Sequence, residues 1–302
     1  MPRTILRLPT AGETYYSGGN TITIKLSAGD TAGAFGCLEL TVPPGGGSLP
    51  HRHRHEEEFL FVTEGELTFS GDIAPRRGGP ETAVYIPRHA LHGFENRTTQ
   101  PARLLSWFFP GGFEGYFREM GVSDPNALLS FEEYRARAPR IDERFGMVPE
   151  GDPDFEPAVR EAVCVGREVG ERFDIEGDPV TLLIVSSATG NSFCAFLREA
   201  TPGAGIPPHL HFREDETFFV MEGELTAMLP DGQWAALPAG SLLHLPKGAP
   251  HAWFNRSERS ARFLVVATPG GFDGLFRNIH HRTGAETIVE RAARHGVAFL
   301  PG

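Results

Sequence analysis

The stretch LPHRHRHEEEFLFVTEGEL, Leu49 to Leu67, places three histidines and three glutamates between positions 51 and 58 and then turns apolar. Residues i and i+2 of a strand point to the same face, so His51 and His53 project together. A chain reversal after His53 would bring an acidic side chain back beside the two imidazoles. PPHLHFREDETFFVMEGEL, Pro207 to Leu225, repeats this pattern at an offset of 158. YIPRHALHGFENR from Tyr85 matches HLPKGAPHAWFNR from His244, and PGGFEGYFRE from Pro110 matches PGGFDGLFRN from Pro269, both at an offset of 159. The chain is two copies of one unit, and self-similarity of this kind decides architecture before any local reading does.

The 302 residues suffice for two domains. Short β-branched and aromatic runs such as TITIKLSA, FLFVTEGELTF, TAVYIP and TLLIVSSA, bounded by glycine and proline, read as an all-β sandwich or barrel. Between the copies, Ser130 and Glu133 stand at capping-box spacing and start a helix that Pro139 is expected to stop or kink. AETIVERAARHG forms a matching helical tail with Gly296 as its C-cap. Each unit is thus a β-domain trailed by short helices, with domains of 1–150 and 151–302.

A net charge of -11 and the lack of any long Lys/Arg run argue against nucleic acid or an anionic membrane as partner. No apolar run approaches a bilayer span and the N-terminus carries no apolar h-region, so a soluble cytoplasmic protein is expected. Cys37, Cys164 and Cys194 show no paired spacing and read as small core residues.

Comparison of the copies sorts the polar cluster. His55 becomes Arg213, which marks a solvated turn residue. Glu57 becomes Asp215, read as a solvated acid. Glu56 and Glu58 both persist, as Glu214 and Glu216, and self-comparison does not choose between them. With His92 or His251 from the proline-led segment one hairpin later, three imidazoles and one carboxylate suit a divalent Fe, Mn, Ni, Co, Cu or Zn ion. His244, His280, His281 and His295 have no repeat partner at such a position and read as surface or packing residues.

These residues resemble the cupin superfamily, whose motifs are G(X)5HXH(X)3-4E(X)6G and G(X)5PXG(X)2H(X)3N. Gly203, His209, His211, Glu216 and Gly223, followed by Gly240, Pro246, Gly248, His251 and Asn255, fit both. Gly45, His51, His53, Glu58 and Gly65 fit the first, and the spacing to Gly65 selects Glu58 over Glu56. In the second motif of copy one, Glu81 and His89 replace glycines while Pro87, His92 and Asn96 remain. The bland reading of His89 is a loop adjustment at positive φ; the sharper one places its ring in the first pocket.

The resemblance implies two tandem double-stranded β-helix (jelly-roll) barrels and up to two metals per chain. His51, His53, Glu58 and His92 would hold the first, and His209, His211, Glu216 and His251 the second. The PGGF segments after each barrel are similar to those of the quercetin 2,3-dioxygenase (flavonol 2,4-dioxygenase) type of bicupin. That likeness implies a small aromatic substrate, dioxygen as co-substrate, and Glu58 and Glu216 as catalytic bases as well as ligands. Phe59, Phe61, Phe94, Trp107, Phe218, Phe219, Trp253 and Phe254 supply an apolar pocket collectively, with about half expected to point inward. An oxalate site would want arginines near the metal, and Arg52 and Arg54 alternate away from the histidines. Hydroxylated aromatic acids, polyketides and a non-catalytic binding role stay open, as does a homodimer paired through edge strands.

Overall fold

The computed structural model describes residues 3–73, 75–127, 129–151, 157–158, 160–175, 177–280 and 286–301. His281 lies outside them. Two compact units emerge, one spanning Gly12–Glu168 and the other Met1–Ala11 with Val169–Gly302. In each, a seven-stranded and a five-stranded antiparallel sheet build a barrel, as expected from the repeat.

The units differ from a division near residue 150 because backbone pairing crosses that line. Strand Ile5–Arg7 pairs with Leu242–Leu245 and so belongs to the C-terminal barrel. Its repeat equivalent, Val163–Val165, pairs with Ala83–Ile86 of the N-terminal barrel. Each of the two is the terminal strand of a seven-stranded sheet, short as edge strands commonly are, and pairs the strand inside it.

Alternation explains which residues reach each core. In strand Glu57–Glu64, Leu60 and Val62 join the interior cluster of the N-terminal barrel with Ile22, Ile24, Leu38 and Leu104. Phe59 and Phe61 point to the opposite face and are also buried, Phe59 against Trp107 with ring centroids 5.3 Å apart. In the C-terminal barrel, Phe218 and Val220 face inward with Phe196, Trp253 and Phe263. A continuous apolar run thus marks strands buried on both sides.

Helix Phe131–Phe145 begins at the Ser130–Glu133 capping box and ends at Gly146 in the left-handed region. It runs through Pro139 rather than stopping there. Caps at both ends and burial of Ala138 and Ile141 offset the lost backbone bond. The second tail helix, Ile288–Arg294, has a Thr287–Glu290 capping box; His295 is its C-cap, and Gly296 follows at φ 83°. Two further helices, Glu114–Met120 and Asp273–His280, grow from the PGGF segments. Cys37 and Cys194 are buried, Cys164 is half-buried, and all three are free thiols.

Candidate metal centres

In the N-terminal barrel His51 and His53 sit at the end of strand Gly47–His53, and His92 opens strand His92–Glu95 directly across from His51. Glu58 returns on strand Glu57–Glu64 after the turn at 54–56. The C-terminal barrel repeats this with strands Gly205–His211, Asp215–Glu222 and His251–Phe254, pairing His209 with His251. In each set of four, one ligand-type atom per residue lies within 4.8 Å of the others.

Backbone carbonyls fix the tautomers. The Nδ1 atoms of His51 and His92 donate to Leu49 and Ala90 at 2.8 and 2.9 Å. Those of His209 and His251 donate to Pro207 and Ala249 at 2.8 and 3.0 Å. A carbonyl only accepts, so the proton is on Nδ1 and each Nε2 presents a lone pair inward. His92 Nε2 lies 2.9 Å from Glu58 Oε2, buried and without a hydrogen bond. His251 Nε2 faces Glu216 Oε2 at 3.2 Å, as does His211 Nε2, which likewise has no hydrogen bond. Lone pairs converging at such distances out of water require a cation or proton between them. Three imidazoles and one carboxylate therefore fit a divalent ion.

The electrostatics agree. Burial, then the positive charge His92 and His53 would carry, holds His51 well below the usual histidine range. Burial likewise lowers His209, to about 3. Burial alone would raise Glu58, but the closeness of His53 and His92, with Nε2 atoms 3.6 and 2.9 Å away, holds its carboxyl well below the usual range. Glu216 resists burial in the same way, through His211 and His251, and lies at about 2. Neutral imidazole at His51 and His209 beside carboxylate at Glu58 and Glu216 is the protonation state a metal needs; His211 departs from it, its burial outweighed by Glu216 and Glu214 so that it is raised.

The other polar residues of the opening stretch have structural places. His55 is exposed, as expected of a turn residue. Glu57 is not a solvated acid: it is buried and paired with Arg160 at 3.0 Å, and its counterpart Asp215 is buried and accepts from the Lys247 backbone N–H at 2.8 Å. Glu56 and Glu214 are buried behind the ligand set, 3.8 and 3.9 Å from Nδ1 of His53 and His211. Burial pushes Glu56 up to about 8. The only hint of this supporting pair in the sequence was that both copies keep the glutamate.

Glu81 and His89 adopt φ of 67° and 73°, matching 87° and 80° at Gly240 and Gly248, so side chains stand here where the sister copy uses glycine. The His89 ring turns to the Arg54 carbonyl at 3.3 Å, outside the cavity, which fits the loop reading. His244 is fully buried and bonded to Thr217 at 3.2 Å, His280 is exposed and His295 half-buried.

A cavity of about 70 Å³ adjoins the first cluster and one of about 90 Å³ the second. Of the aromatics named from sequence, Phe94, Phe218 and Trp253 line them; Phe59, Phe61, Trp107, Phe219 and Phe254 do not. Strand alternation turns Phe59, Phe61, Trp107 and Phe219 to the other face. The missed walls include Phe108, Phe113 and Phe117 in the first cavity and Phe196, Phe272 and Phe276 in the second. Four of these come from the repeated PGGF segments, whose helices pack onto the barrels. Arg52 turns away as expected, to Asp72 at 3.2 Å and the His89 carbonyl at 2.6 Å, but Arg198 lines the second cavity.

Two double-sheet barrels, each with three histidines and a glutamate converging at one end, define a two-domain cupin. The cupin domain model matches residues 38–108 and 196–267, and the chain is a bicupin. It resembles the quercetin 2,3-dioxygenase of Bacillus subtilis, 25% identical, covering 89% of this chain and 83% of that protein. The tetracenomycin polyketide synthase protein TcmJ of Streptomyces glaucescens is 27% identical over 35% of this chain and 70% of its own. Among solved structures, Bacillus subtilis oxalate decarboxylase, described with Mn(II) centres, aligns with a TM-score of 0.64 at 15% identity, covering 98% and 89% of the two chains. Procruciferin, an 11S globulin of Brassica napus, aligns at 0.61 and 12% identity, covering 89% and 85%. These structural likenesses show the fold. No helix among the described residues is long and apolar enough to cross a membrane.

Proposed function

We propose that both clusters hold a divalent transition metal and that the chain is a dioxygenase for an enolic aromatic substrate of the flavonol kind. The observation that carries the reading is the position of each four-donor cluster at an apolar, aromatic-walled cavity. The likeness to quercetin 2,3-dioxygenase over most of the chain supports it.

Held by His51, His53, Glu58 and His92, or by His209, His211, Glu216 and His251, a divalent ion supplies positive charge that acidifies a substrate hydroxyl and favours its oxyanion. The protein contributes the rest. Glu58 or Glu216, ionised in the resting site, accepts the hydroxyl proton on a carboxylate oxygen. Phe94, Phe108 and Phe113, or Phe218, Trp253 and Phe272, hold the ring and exclude water from the enolate. Dioxygen is then consumed as the ring opens, and for a flavonol the products are carbon monoxide and a depside.

The cavity volumes favour a second, smaller substrate class. Pockets for drug-sized ligands run to roughly 300 Å³ and more. Cavities of about 70 and 90 Å³ better suit a hydroxylated aromatic acid.

Metal-free protein loaded separately with Fe, Mn, Co, Ni, Cu and Zn, then given quercetin or a small hydroxylated aromatic acid in air, tests both. Metal-dependent loss of flavonol absorbance with carbon monoxide release, abolished by E58A with E216A, is the expected result. Metal uptake with no oxygen consumed on any such substrate would overturn the dioxygenase reading.

A further inference from the structure

Position for position, the two cavities share their ligands and differ at several wall positions, of which one changes charge. Leu40, opposite Leu104 in its sheet, corresponds to Arg198, opposite Phe263. Asn20 corresponds to Asp178, and Arg198 is ion-paired with Asp178. Leu40 and Arg198 each line their own cavity.

We infer that the C-terminal cavity takes a ligand bearing a carboxylate or comparable oxyanion, anchored by the Arg198 guanidinium, and that the N-terminal cavity lacks this anchor. The inference rests on the proposal that the cavity beside His209, His211, Glu216 and His251 is a ligand site.

Several observations carry it. Arg198 is 8% exposed and meets Asp178 through Nη2 and Oδ2 alone; its Nε and Asp178 Oδ1 are both buried without a hydrogen-bond partner, so the guanidinium keeps donor capacity beyond that contact. The guanidinium lies 4.7 Å from the Trp253 ring centroid, which presents it beside an aromatic wall of the same cavity. A buried ion pair is a poor source of stability. The fold does not depend on one here, since the N-terminal barrel fills the same two positions with Leu40 and Asn20. Burial lowers Arg198 to about 10, with Glu216 acting in the opposite direction, so the side chain stays cationic at neutral pH. A planar guanidinium with an uncommitted donor matches a carboxylate better than it matches a neutral carbonyl.

The test compares benzoate with benzamide, and acetate with acetamide, by calorimetry on the full chain, both metal-free and zinc-loaded. The key variant, R198L with D178N, installs the residues of the N-terminal copy and leaves no unpaired charge. Wild type should show one site per chain with a carboxylate-over-amide preference at least about tenfold greater than in the variant, with zinc content unchanged. Equal carboxylate affinity in wild type and variant, or no preference in wild type with or without zinc, would overturn the inference. No turnover is read, so failure of the dioxygenase proposal leaves this result interpretable on its own.

Discussion

The N-terminal and C-terminal barrels carry the same four donors in the same register, yet their surroundings differ. In the first, Ser106 Oγ donates to Glu58 Oε1 at 2.7 Å and the wall opposite is Leu40. In the second, Val265 stands at the serine position and Arg198 at the leucine position. Duplication has kept the four-donor geometry and varied the groups that line the cavity beside it. A ligand set answers to a fixed coordination chemistry, whereas a cavity wall is free to diverge.

The largest effect should come from breaking one cluster at a time. H51A with H53A, or H209A with H211A, should abolish metal uptake at its own site and leave the other filled, read as a fall from two equivalents to one by metal analysis.

Acidification of the metal-free protein should come next. His209 moves from 6.5 unfolded to about 3 folded, and Glu216 from 4.5 to about 2. Between pH 4.5 and 3 the unfolded chain therefore binds protons that the folded one refuses, so stability falls with pH. His211 is raised, burial being outweighed by Glu216 and Glu214, and its favourable contribution is already complete below 6.5. Hydrogen exchange across this window should show the C-terminal barrel opening progressively, and constant protection would contradict the assignment.

Smaller again, I5A should cost about 2 kcal/mol and act on the C-terminal barrel, because the buried Ile5 side chain packs at the edge of that sheet. Exchange rates resolved by barrel would show whether the loss falls there. S106A should cost about 1.5 kcal/mol in the N-terminal barrel alone, the lower end of what one hydrogen bond to a buried carboxylate is worth. V265A at the equivalent place should leave the Glu216 electrostatics unchanged, as read by the pH dependence of metal affinity at that site.

The β-rich units, the duplication and the pairing of His51 with His53 were legible because strand periodicity and repetition encode them in the chain itself, whereas Glu58 was separated from Glu56 only through the resemblance to the cupin motif, since both copies keep both glutamates. Glu57 was misread because side-chain charge does not reveal a partner 103 residues away, Arg160. The run through Pro139 depended on tertiary burial of Ala138 and Ile141, which local propensity does not carry. Arg198 escaped notice for a related reason. It lies on strand Cys194–Ala200, away from both motifs, and only strand register brings it into the cavity. The exchanged places of Ile5–Arg7 and Val163–Val165 are long-range pairings that a boundary placed after the first repeat and its helical tail misses.

Two proposed metal centres beside unlike cavities call first for titration of metal-free protein with Co(II) while following its visible absorption. Wild type should take up two equivalents per chain, and E58A with H92A, like E216A with H251A, one. Uptake of fewer than two equivalents by wild type, or retention of both by either variant, would contradict the proposal of two centres.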